Sequence, residues 1–200
     1  MIKRAFDVAL ATVGLVGSAP LWLVIAAAIR LEDGGPVFFT QERVGLHGTV
    51  FRAFKFRSMI PDAERETGAV QAAAGDPRVT RVGRLLRATA MDELPQLWNI
   101  LRGDMSFVGP RPLRPGEADT TADGQLLLSA IPGYRERHEI RPGLTGLAQV
   151  FAPRDLRRTG KFRYDRLYRR RAGLCLDLWL IGQSFLITFR GRWEHRGPKL

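Results

Sequence analysis

The longest apolar stretch of the chain covers residues 8–29, where 22 residues pass without a charge and Pro20 stands near the middle. At about 1.5 Å per residue, a helix of this length spans roughly 33 Å, enough to cross the hydrocarbon core of a bilayer. The stretch therefore predicts a helix in a membrane. A cleaved signal peptide is the rival interpretation, but Asp7 interrupts the basic start and apolar residues resume beyond Pro20.

The charges on both sides of this stretch bear on how it enters a membrane. Two basic residues precede it, and the segment that follows it is rich in arginine. Because basic residues prefer the cytoplasmic side, both ends favour the same face of the membrane. Proline bends a helix, so a helix that enters, turns at Ser18, Ala19 and Pro20 and returns satisfies both ends. A spanning helix is the alternative, since a turn at depth exposes backbone groups to lipid.

The next segment reads as strands and turns. Residues 36–41 and 49–59 are rich in β-forming side chains, and a turn bounded by two glycines lies between them. In the second run, phenylalanines alternate with Lys55 and Arg57, which predicts a half-buried strand with a basic face. That face is either solvated or part of a binding site, and the pattern allows both.

Polar and helical patterns follow. Residues 60–78 are small, polar and broken by glycines, which predicts a mobile loop or a lid. Thr80 is placed to cap a short basic helix, and Gly103 is placed to close the helix after it. The acidic segment 113–133 predicts a helical insertion interrupted at a glycine.

The C-terminal part combines charge with an apolar helix. Residues 154–171 contain nine basic residues against two acidic ones, and residues 174–189 are mostly apolar. Sixteen residues are too few to span a bilayer comfortably. A basic run beside an apolar helix is typical of an interfacial amphipathic element on anionic lipid. A core helix with a solvated basic neighbour fits the pattern as well.

Composition narrows the classes of partner. Arginine supplies 27 of the 31 basic residues, and the net charge is +11 over 200 residues, a length that suggests one domain. Such a charge attracts nucleic acid, an anionic membrane or phosphorylated substrates, and guanidinium groups bind phosphate with two donors. A basic nucleic-acid-binding protein explains the charge but gives no role to residues 8–29, and no recognition motif for nucleic acid occurs.

An acidic pair, Asp92 and Glu93, stands at a predicted helix start. If Asp92 is the N-cap, free N–H groups and the helix dipole stabilise its negative charge. A carboxylate in that environment suits phosphoryl transfer, while a plain helix cap is the alternative.

A fixed cation follows the acidic pair. In the run Gly109–Pro112, the prolines hold Arg111 in extended geometry on a stiff backbone. Arg84, Arg87 and Arg111 are close enough in sequence to converge on a diphosphate. The three histidines are scattered, which argues against a soft-metal site, whereas Mg²⁺ held by a carboxylate and substrate phosphates stays open.

Six motifs occur in order along almost the whole chain: Lys3–Asp7, Phe39–Gly45, Phe54–Met59, Asp92–Asn99, Gly103–Pro112 and Arg141–Val150. With these motifs the chain resembles bacterial sugar transferases of the monotopic phosphoglycosyl transferase family. It is similar to the minimal catalytic form, without the multi-span region of longer relatives.

The resemblance implies transfer of a phosphosugar from a nucleoside diphosphate sugar, usually a UDP-sugar, to a polyprenyl phosphate such as undecaprenyl phosphate, with release of UMP. It implies that Asp92 is the nucleophile of a phosphosugar–aspartate intermediate, that Glu93 is its acidic partner, and that Mg²⁺ bridges the diphosphate near Asp92. The functionally implicated positions that also align are Lys55, Arg87, Arg111 and Asp177.

The resemblance also implies an architecture. We expect an α+β, predominantly helical protein with a re-entrant membrane helix over residues 1–30, a small β-hairpin and interfacial amphipathic helices. Residues 31–200 are expected to form a membrane-associated catalytic domain on the cytoplasmic side of the inner membrane. The family's membrane break is typically Ser-Pro; here it is Ala19-Pro20, with Ser18 displaced by one. A non-catalytic membrane scaffold is a further alternative, because it keeps the apolar segments without using Asp92.

Overall fold

The computed structural model describes residues 2–63, 65, 75–121, 124–153 and 156–193. Helices predominate, and several short strands occur between them along the chain. This composition confirms the predicted α+β class. The helices are α1 (Ile2–Asp33), α2 (Arg81–Ala88), α3 (Gln96–Arg102), α4 (Tyr134–Arg137), α5 (Leu147–Phe151), α6 (Arg158–Arg171) and α7 (Leu174–Phe189). The strands are β1 (Phe38–Val44), β2 (Val50–Phe56), β3 (Ser106–Val108), β4 (Ala118–Thr121), β5 (Gly124–Leu127) and β6 (Gly143–Thr145).

Three of the expected local signals are confirmed. Strands β1 and β2 pair antiparallel across the glycine-bounded turn, with Phe38 opposite Phe56. The Thr80 side chain accepts a hydrogen bond from the Gly83 N–H and so caps α2. Gly103 ends α3 at a φ of 98°, a left-handed conformation that glycine adopts without a Cβ clash. Most of the predicted loop, at residues 64 and 66–74, lies outside the described residues.

The predicted helical insertion over residues 113–133 is wrong. Part of this segment forms an antiparallel hairpin, in which β4 pairs with β5. Gly124 has a φ of 117°, a conformation that suits a tight turn and interrupts a helix. Buried Leu113, Leu128 and Ile131 then pack in one cluster, so tertiary contacts override the local helical preference.

Helix α1 runs unbroken for 32 residues, with Pro20 inside it. The expected turn at Ser18, Ala19 and Pro20 is therefore not an interruption of the helix. Pro20 has no backbone N–H, so α1 lacks one hydrogen bond there. The helical turns before and after Pro20 pack against the rest of the protein, and this packing compensates for the missing bond. The Ser18 hydroxyl accepts a hydrogen bond from the Trp22 indole at 3.0 Å.

One stripe of α1 contacts the rest of the protein along its whole length. The contacting residues recur every three or four positions, or at twice that spacing, as expected for one helix face; they are Lys3, Asp7, Ala11, Gly14, Trp22, Ile25, Ile29 and Asp33. The opposite face is apolar and open, with Val16 72% and Leu23 75% exposed. Helix α1 is long and apolar enough to cross a membrane by length and composition. Its open apolar face indicates association with a membrane.

Charged residues fasten the first turns of α1. Lys3 Nζ lies 2.5 Å from Asp177 Oδ2 and also donates to the Val108 carbonyl. Arg4 donates to the last carbonyls of α3. Buried Asp7 accepts from both the hydroxyl and the backbone of β3, at 3.1 Å each. The basic start is thus a set of structural contacts as well as a membrane-flanking charge.

The far end of α1 is fastened in the same way. Glu32 accepts hydrogen bonds from two backbone N–H groups at the start of α2. Asp33 forms an ion pair with Arg57, which is only 6% exposed. Arg57, the residue after β2, is therefore buried and paired, and the interpretation of a solvated basic face is wrong at this position.

Helix α7 has a core face and an exposed apolar face. Leu180 and Ile187 are fully buried and pack with Val108. The other face is apolar and exposed, with Trp179 48% and Phe189 85% accessible. One face of α7 therefore belongs to the core, and the other extends the open apolar surface of the protein.

Replacing Asp7 with Ala is expected to lower the free energy of unfolding by about 1–3 kcal/mol, because the buried Ser106 hydroxyl and the Phe107 N–H lose their acceptor. Denaturant unfolding in detergent measures the change, with the exposed Glu42→Ala as the matched control. Equal midpoints for the two variants would contradict this anchoring role.

Candidate active site

The acidic pair is delivered by a strained turn. Ala90 has a φ of 55°, and a 3₁₀ turn covering Met91–Glu93 follows it directly. The N-cap of α3 is Pro95. The prediction that Asp92 caps this helix is therefore wrong: the chain bends between α2 and α3, and Asp92 lies in the bend. A left-handed alanine costs about 1 kcal/mol, which the surrounding packing must offset.

Glu93 is the centre of an ion-pair triad. Its Oε1 lies 2.5 Å from Lys55 Nζ and 2.8 Å from Arg111 Nη2. Burial alone would raise the pKa of Glu93, but Arg111 and Lys55 together hold that pKa well below its usual range. The same contact raises the pKa of Arg111. Glu93 is therefore ionised, and it holds two cations from β2 and from the Gly109–Pro112 loop in place.

Asp92 is placed differently from its neighbour. Its Oδ2 is 3.9 Å from Lys55 Nζ, and its side chain accepts no hydrogen bond from any residue that the structure describes. Burial raises its pKa to about 6, although Lys55 opposes the shift. At neutral pH the carboxylate is thus mostly ionised, weakly held and directed at the cavity, which is the state of an available nucleophile or metal ligand.

The loop that carries Arg111 is held by close backbone packing. A Cβ on Gly109 would lie 2.3 Å from the Arg141 carbonyl oxygen, so only glycine fits there. The parallel pair of β3 and β6 creates this approach. Arg137 donates to the Arg111 carbonyl at 2.7 Å, and Asp165 neutralises the buried Arg137 at 3.0 Å. These contacts fix the backbone of Arg111 from both sides.

Two supporting residues were missed by sequence reasoning. Asn99 is fully buried; its amide accepts from the Phe54 N–H at 3.0 Å and donates to the Arg52 carbonyl at 2.8 Å. It thus acts as a strand partner for β2 beside Lys55. The only sequence feature that could have pointed to Asn99 is its position at the end of the Asp92–Asn99 motif. For Arg137 no local pattern pointed to the site.

One cavity of about 1220 Å³ contains these groups. Lys55, Arg87, Asp92, Glu93 and Arg111 all line it, so the structure brings five predicted site residues together. Its apolar wall includes Leu97, Phe107, Leu144, Ile181 and Phe185, and α1 contributes Leu10, Gly14 and Ser18. A cavity with one charged part and a long apolar wall suits an amphiphilic phosphorylated ligand.

Two other predicted residues lie elsewhere. Arg84 is exposed on α2 and does not line the cavity, so the expected convergence of three arginines is reduced to Arg87 and Arg111. Asp177 is buried, with only 2% of its surface exposed. It forms an ion pair with Lys3 and accepts a hydrogen bond from the Tyr168 hydroxyl at 2.6 Å. It lies at a structural junction between α1, α6 and α7, so the structure does not bring it together with the other predicted site residues at the cavity.

A metal held by protein side chains alone has no support in the described part of the chain, which contains no group of three His, Cys, Asp or Glu residues. Glu93 is occupied by two cations. Asp92 offers one carboxylate that faces the cavity. This donor set fits Mg²⁺, which commonly takes one or two carboxylates and completes its shell with water and substrate phosphates.

Comparison with known proteins adds a family match and several relatives. Residues 1–191 match the family described as bacterial sugar transferase. The chain is 41% identical over 187 residues to "Exopolysaccharide production protein PSS" of Rhizobium leguminosarum bv. phaseoli, covering 94% of this chain and 88% of that protein. It is 46% identical over 193 residues to "UDP-glucose:undecaprenyl-phosphate glucose-1-phosphate transferase" of Caulobacter vibrioides, covering 94% and 67%.

A third relative is much longer than this chain. The "Undecaprenyl-phosphate glucose phosphotransferase" of Komagataeibacter xylinus is 49% identical over 148 residues, which is 74% of this chain but 27% of that protein. The chain thus spans nearly all of one relative and about a quarter of another.

Proposed function

Because the chain belongs to the bacterial sugar transferase family, a family of enzymes, we propose that it transfers a phosphosugar from a nucleoside diphosphate sugar to a polyprenyl phosphate. The donor is a UDP-sugar, the acceptor is undecaprenyl phosphate, and the products are a polyprenyl diphosphosugar and UMP. The observation that carries the proposal is the Asp92 carboxylate, which faces a cavity beside the Lys55–Glu93–Arg111 triad.

The names of the relatives support both substrates. Two of them are named for the transfer of glucose phosphate to undecaprenyl phosphate, and one for exopolysaccharide production. The proposed role is the first step of glycan assembly on a lipid carrier. Nucleic-acid binding explains only the net charge, whereas this reaction uses the apolar helix, the acidic pair and the basic cavity together.

The proposed reaction proceeds through Asp92. One carboxylate oxygen attacks the β-phosphorus of the donor, the bond from that phosphorus to the bridging oxygen breaks, and UMP leaves with the electron pair. A phosphate oxygen of the acceptor then attacks the same phosphorus and restores the Asp92 carboxylate. Two displacements replace one difficult transfer. The weak contacts of Asp92 support this role, since the side chain need not break a strong hydrogen bond to attack.

Glu93 has a positioning role in this proposal. A diphosphate repels a carboxylate, so cations must be fixed where negative charge gathers. Glu93 holds Lys55 and Arg111 at 2.5 Å and 2.8 Å, which keeps both cations within the cavity before substrate arrives. Arg87 lines the same cavity and adds a further positive charge.

Asp92 would also hold Mg²⁺, together with phosphate oxygens of the donor. When bound, Mg²⁺ supplies charge compensation for the diphosphate and for the departing UMP phosphate. Lys55 and Arg111 supply the remaining compensation from the protein.

We further propose that residues 1–30 form a re-entrant, monotopic anchor in the inner membrane, bent at Pro20 without a break in α1, and that residues 31–200 face the cytoplasm. The contact stripe supports this: Lys3 and Asp33, at opposite ends of α1, both bind the same domain. A helix that crossed the bilayer would have to separate these two contacts by about 30 Å of hydrocarbon. The open faces of α1 and α7 supply the apolar surface for lipid, and the basic α6 suits anionic head groups.

Asp92→Asn is expected to abolish UMP release, at least 10³-fold, while the protein stays folded, because the amide is nearly isosteric but a poor nucleophile. The measurement is UMP formed from a panel of UDP-sugars with undecaprenyl phosphate, and the control is Glu42→Gln, an exposed acidic residue that does not line the cavity. Near-normal UMP release by Asp92→Asn would remove Asp92 from the nucleophile role.

Chelation of divalent cations is expected to stop turnover, and excess Mg²⁺ is expected to restore it. The charges of Lys55 and Arg111 are already offset by those of Asp92 and Glu93, and Arg87 alone does not neutralise a diphosphate. UMP release measured with and without chelator checks this. Full activity in excess chelator would show that the protein cations suffice.

The proposed topology predicts that position 2 and position 60 lie on the same side of the membrane. Ile2→Cys and Ile60→Cys, made separately in a Cys175→Ser background, replace exposed side chains and remove the exposed native thiol. A membrane-impermeant thiol reagent should label neither variant in intact cells and both after permeabilisation. Labelling of position 2 alone in intact cells would mean a spanning α1.

A further inference from the structure

The cavity is also lined by a second group of basic side chains. Besides the residues around Asp92, its lining includes Arg43, Arg114, Arg158 and Lys161. The proposed chemistry at Asp92 assigns no role to this second group. One member, Arg43, stands out by its hydrogen-bond partners.

Arg43 is a half-buried cation bonded only to neutral oxygens. Its guanidinium donates to the Pro112 carbonyl at 3.0 Å and to the amide oxygen of Gln41. Within the described residues no carboxylate lies within 4.0 Å of it. Other arginines held inside the protein have such a partner: Arg57 pairs with Asp33, and Arg137 with Asp165.

The surroundings make this cation costly. Burial, together with the positive charges of Arg111 and Arg114, lowers the pKa of Arg43 to about 10, although Glu117 and Glu93 oppose the shift. The group is still charged at neutral pH. Arg43, Arg111 and Arg114 all line the cavity, and their mutual repulsion at Arg43 is only partly offset by Glu93 and Glu117. An anion bound beside Arg43 would relieve the remaining repulsion.

The backbone around Arg43 is already fixed. The next residue of β1, Val44, donates its N–H to the Leu113 carbonyl at 2.8 Å, while Arg43 itself bonds to Pro112. Strand β1 thus lies against the segment that directly follows Arg111. A guanidinium held on a strand and braced by a carbonyl loses little freedom when it binds an anion.

We propose that Arg43, together with Arg111 and Arg114, forms a second phosphate site in the cavity, and that this site binds a phosphate monoester. The inference rests on the proposed function, whose reaction contains two such groups: the phosphate of the lipid acceptor and the phosphate of UMP. A site of this kind holds one phosphate while Asp92 carries the other.

The test compares Arg43→Gln and Arg43→Lys with Arg84→Gln, a matched control on the exposed face of α2 outside the cavity. Calorimetry on the full chain in detergent measures the binding of two phosphate monoesters, UMP and farnesyl phosphate. We expect Arg43→Gln to weaken at least one of them tenfold or more. Arg43→Lys, which keeps the charge without the two-pronged donor, should show a smaller loss, and Arg84→Gln should bind like the wild type.

The two probes separate the sources of the phosphate. A loss confined to farnesyl phosphate assigns the site to the lipid acceptor, a loss confined to UMP assigns it to the nucleotide, and a loss of both means that the two occupy it in turn. Unchanged binding of both by Arg43→Gln overturns the inference. If Arg43→Gln fails to fold, Arg43→Lys decides: wild-type affinity for both monoesters then overturns it.

The outcome is separable from that of the proposed function. Wild-type protein without transferase activity on any UDP-sugar refutes the proposed reaction, whatever Arg43 binds. Normal turnover by the wild type, with normal binding of both monoesters by Arg43→Gln, refutes the second site alone.

Discussion

The ion-pair triad of Lys55, Glu93 and Arg111 is the interaction on which the site depends. It joins a strand, a 3₁₀ turn and a proline-bound loop through one carboxylate oxygen. Because Glu93 takes up both cations, the adjacent Asp92 is left with a single contact at 3.9 Å. Two neighbouring carboxylates thus acquire opposite properties: the pKa of Glu93 falls because Arg111 and Lys55 face it, and the pKa of Asp92 rises because burial dominates. Neighbours in sequence point to different sides of a helical turn, which is what allows this division.

Helix α1 contacts the segment of chain that leads to the site. Asp7 binds the backbone of Phe107, and Lys3 binds the carbonyl of Val108, which stands three residues before Arg111. The contacts of α1 therefore reach the start of the loop that carries the fixed cation. An apolar helix that lies on its own domain leaves its other face for lipid, so the membrane surface and the reaction cavity share one wall. This arrangement suits an enzyme whose acceptor stays in the bilayer while its donor comes from water.

Local sequence accounted for the features that depend on a few neighbouring residues. The hairpin of β1 and β2, the cap at Thr80 and the end of α3 at Gly103 follow from alternation, hydrogen-bond capping and glycine geometry. The stiff backbone at Arg111 follows from two prolines. The motif around Asp92 identified the pair that the structure places in the cavity. These signals are reliable because each is decided within about one turn of chain.

By itself, then, the sequence determined the membrane-seeking helix, the local elements and the identity of the acidic pair. Only the tertiary structure decided which distant groups meet. Lys55 reaches Glu93 across 38 positions of chain, and Asp177 turns to Lys3 instead of to the cavity. Part of the segment 113–133 forms the paired strands β4 and β5, where its composition favoured a helix. In each case the deciding free energy comes from burial and charge pairing between remote segments. No local pattern records these energies, because they exist only once the chain has packed.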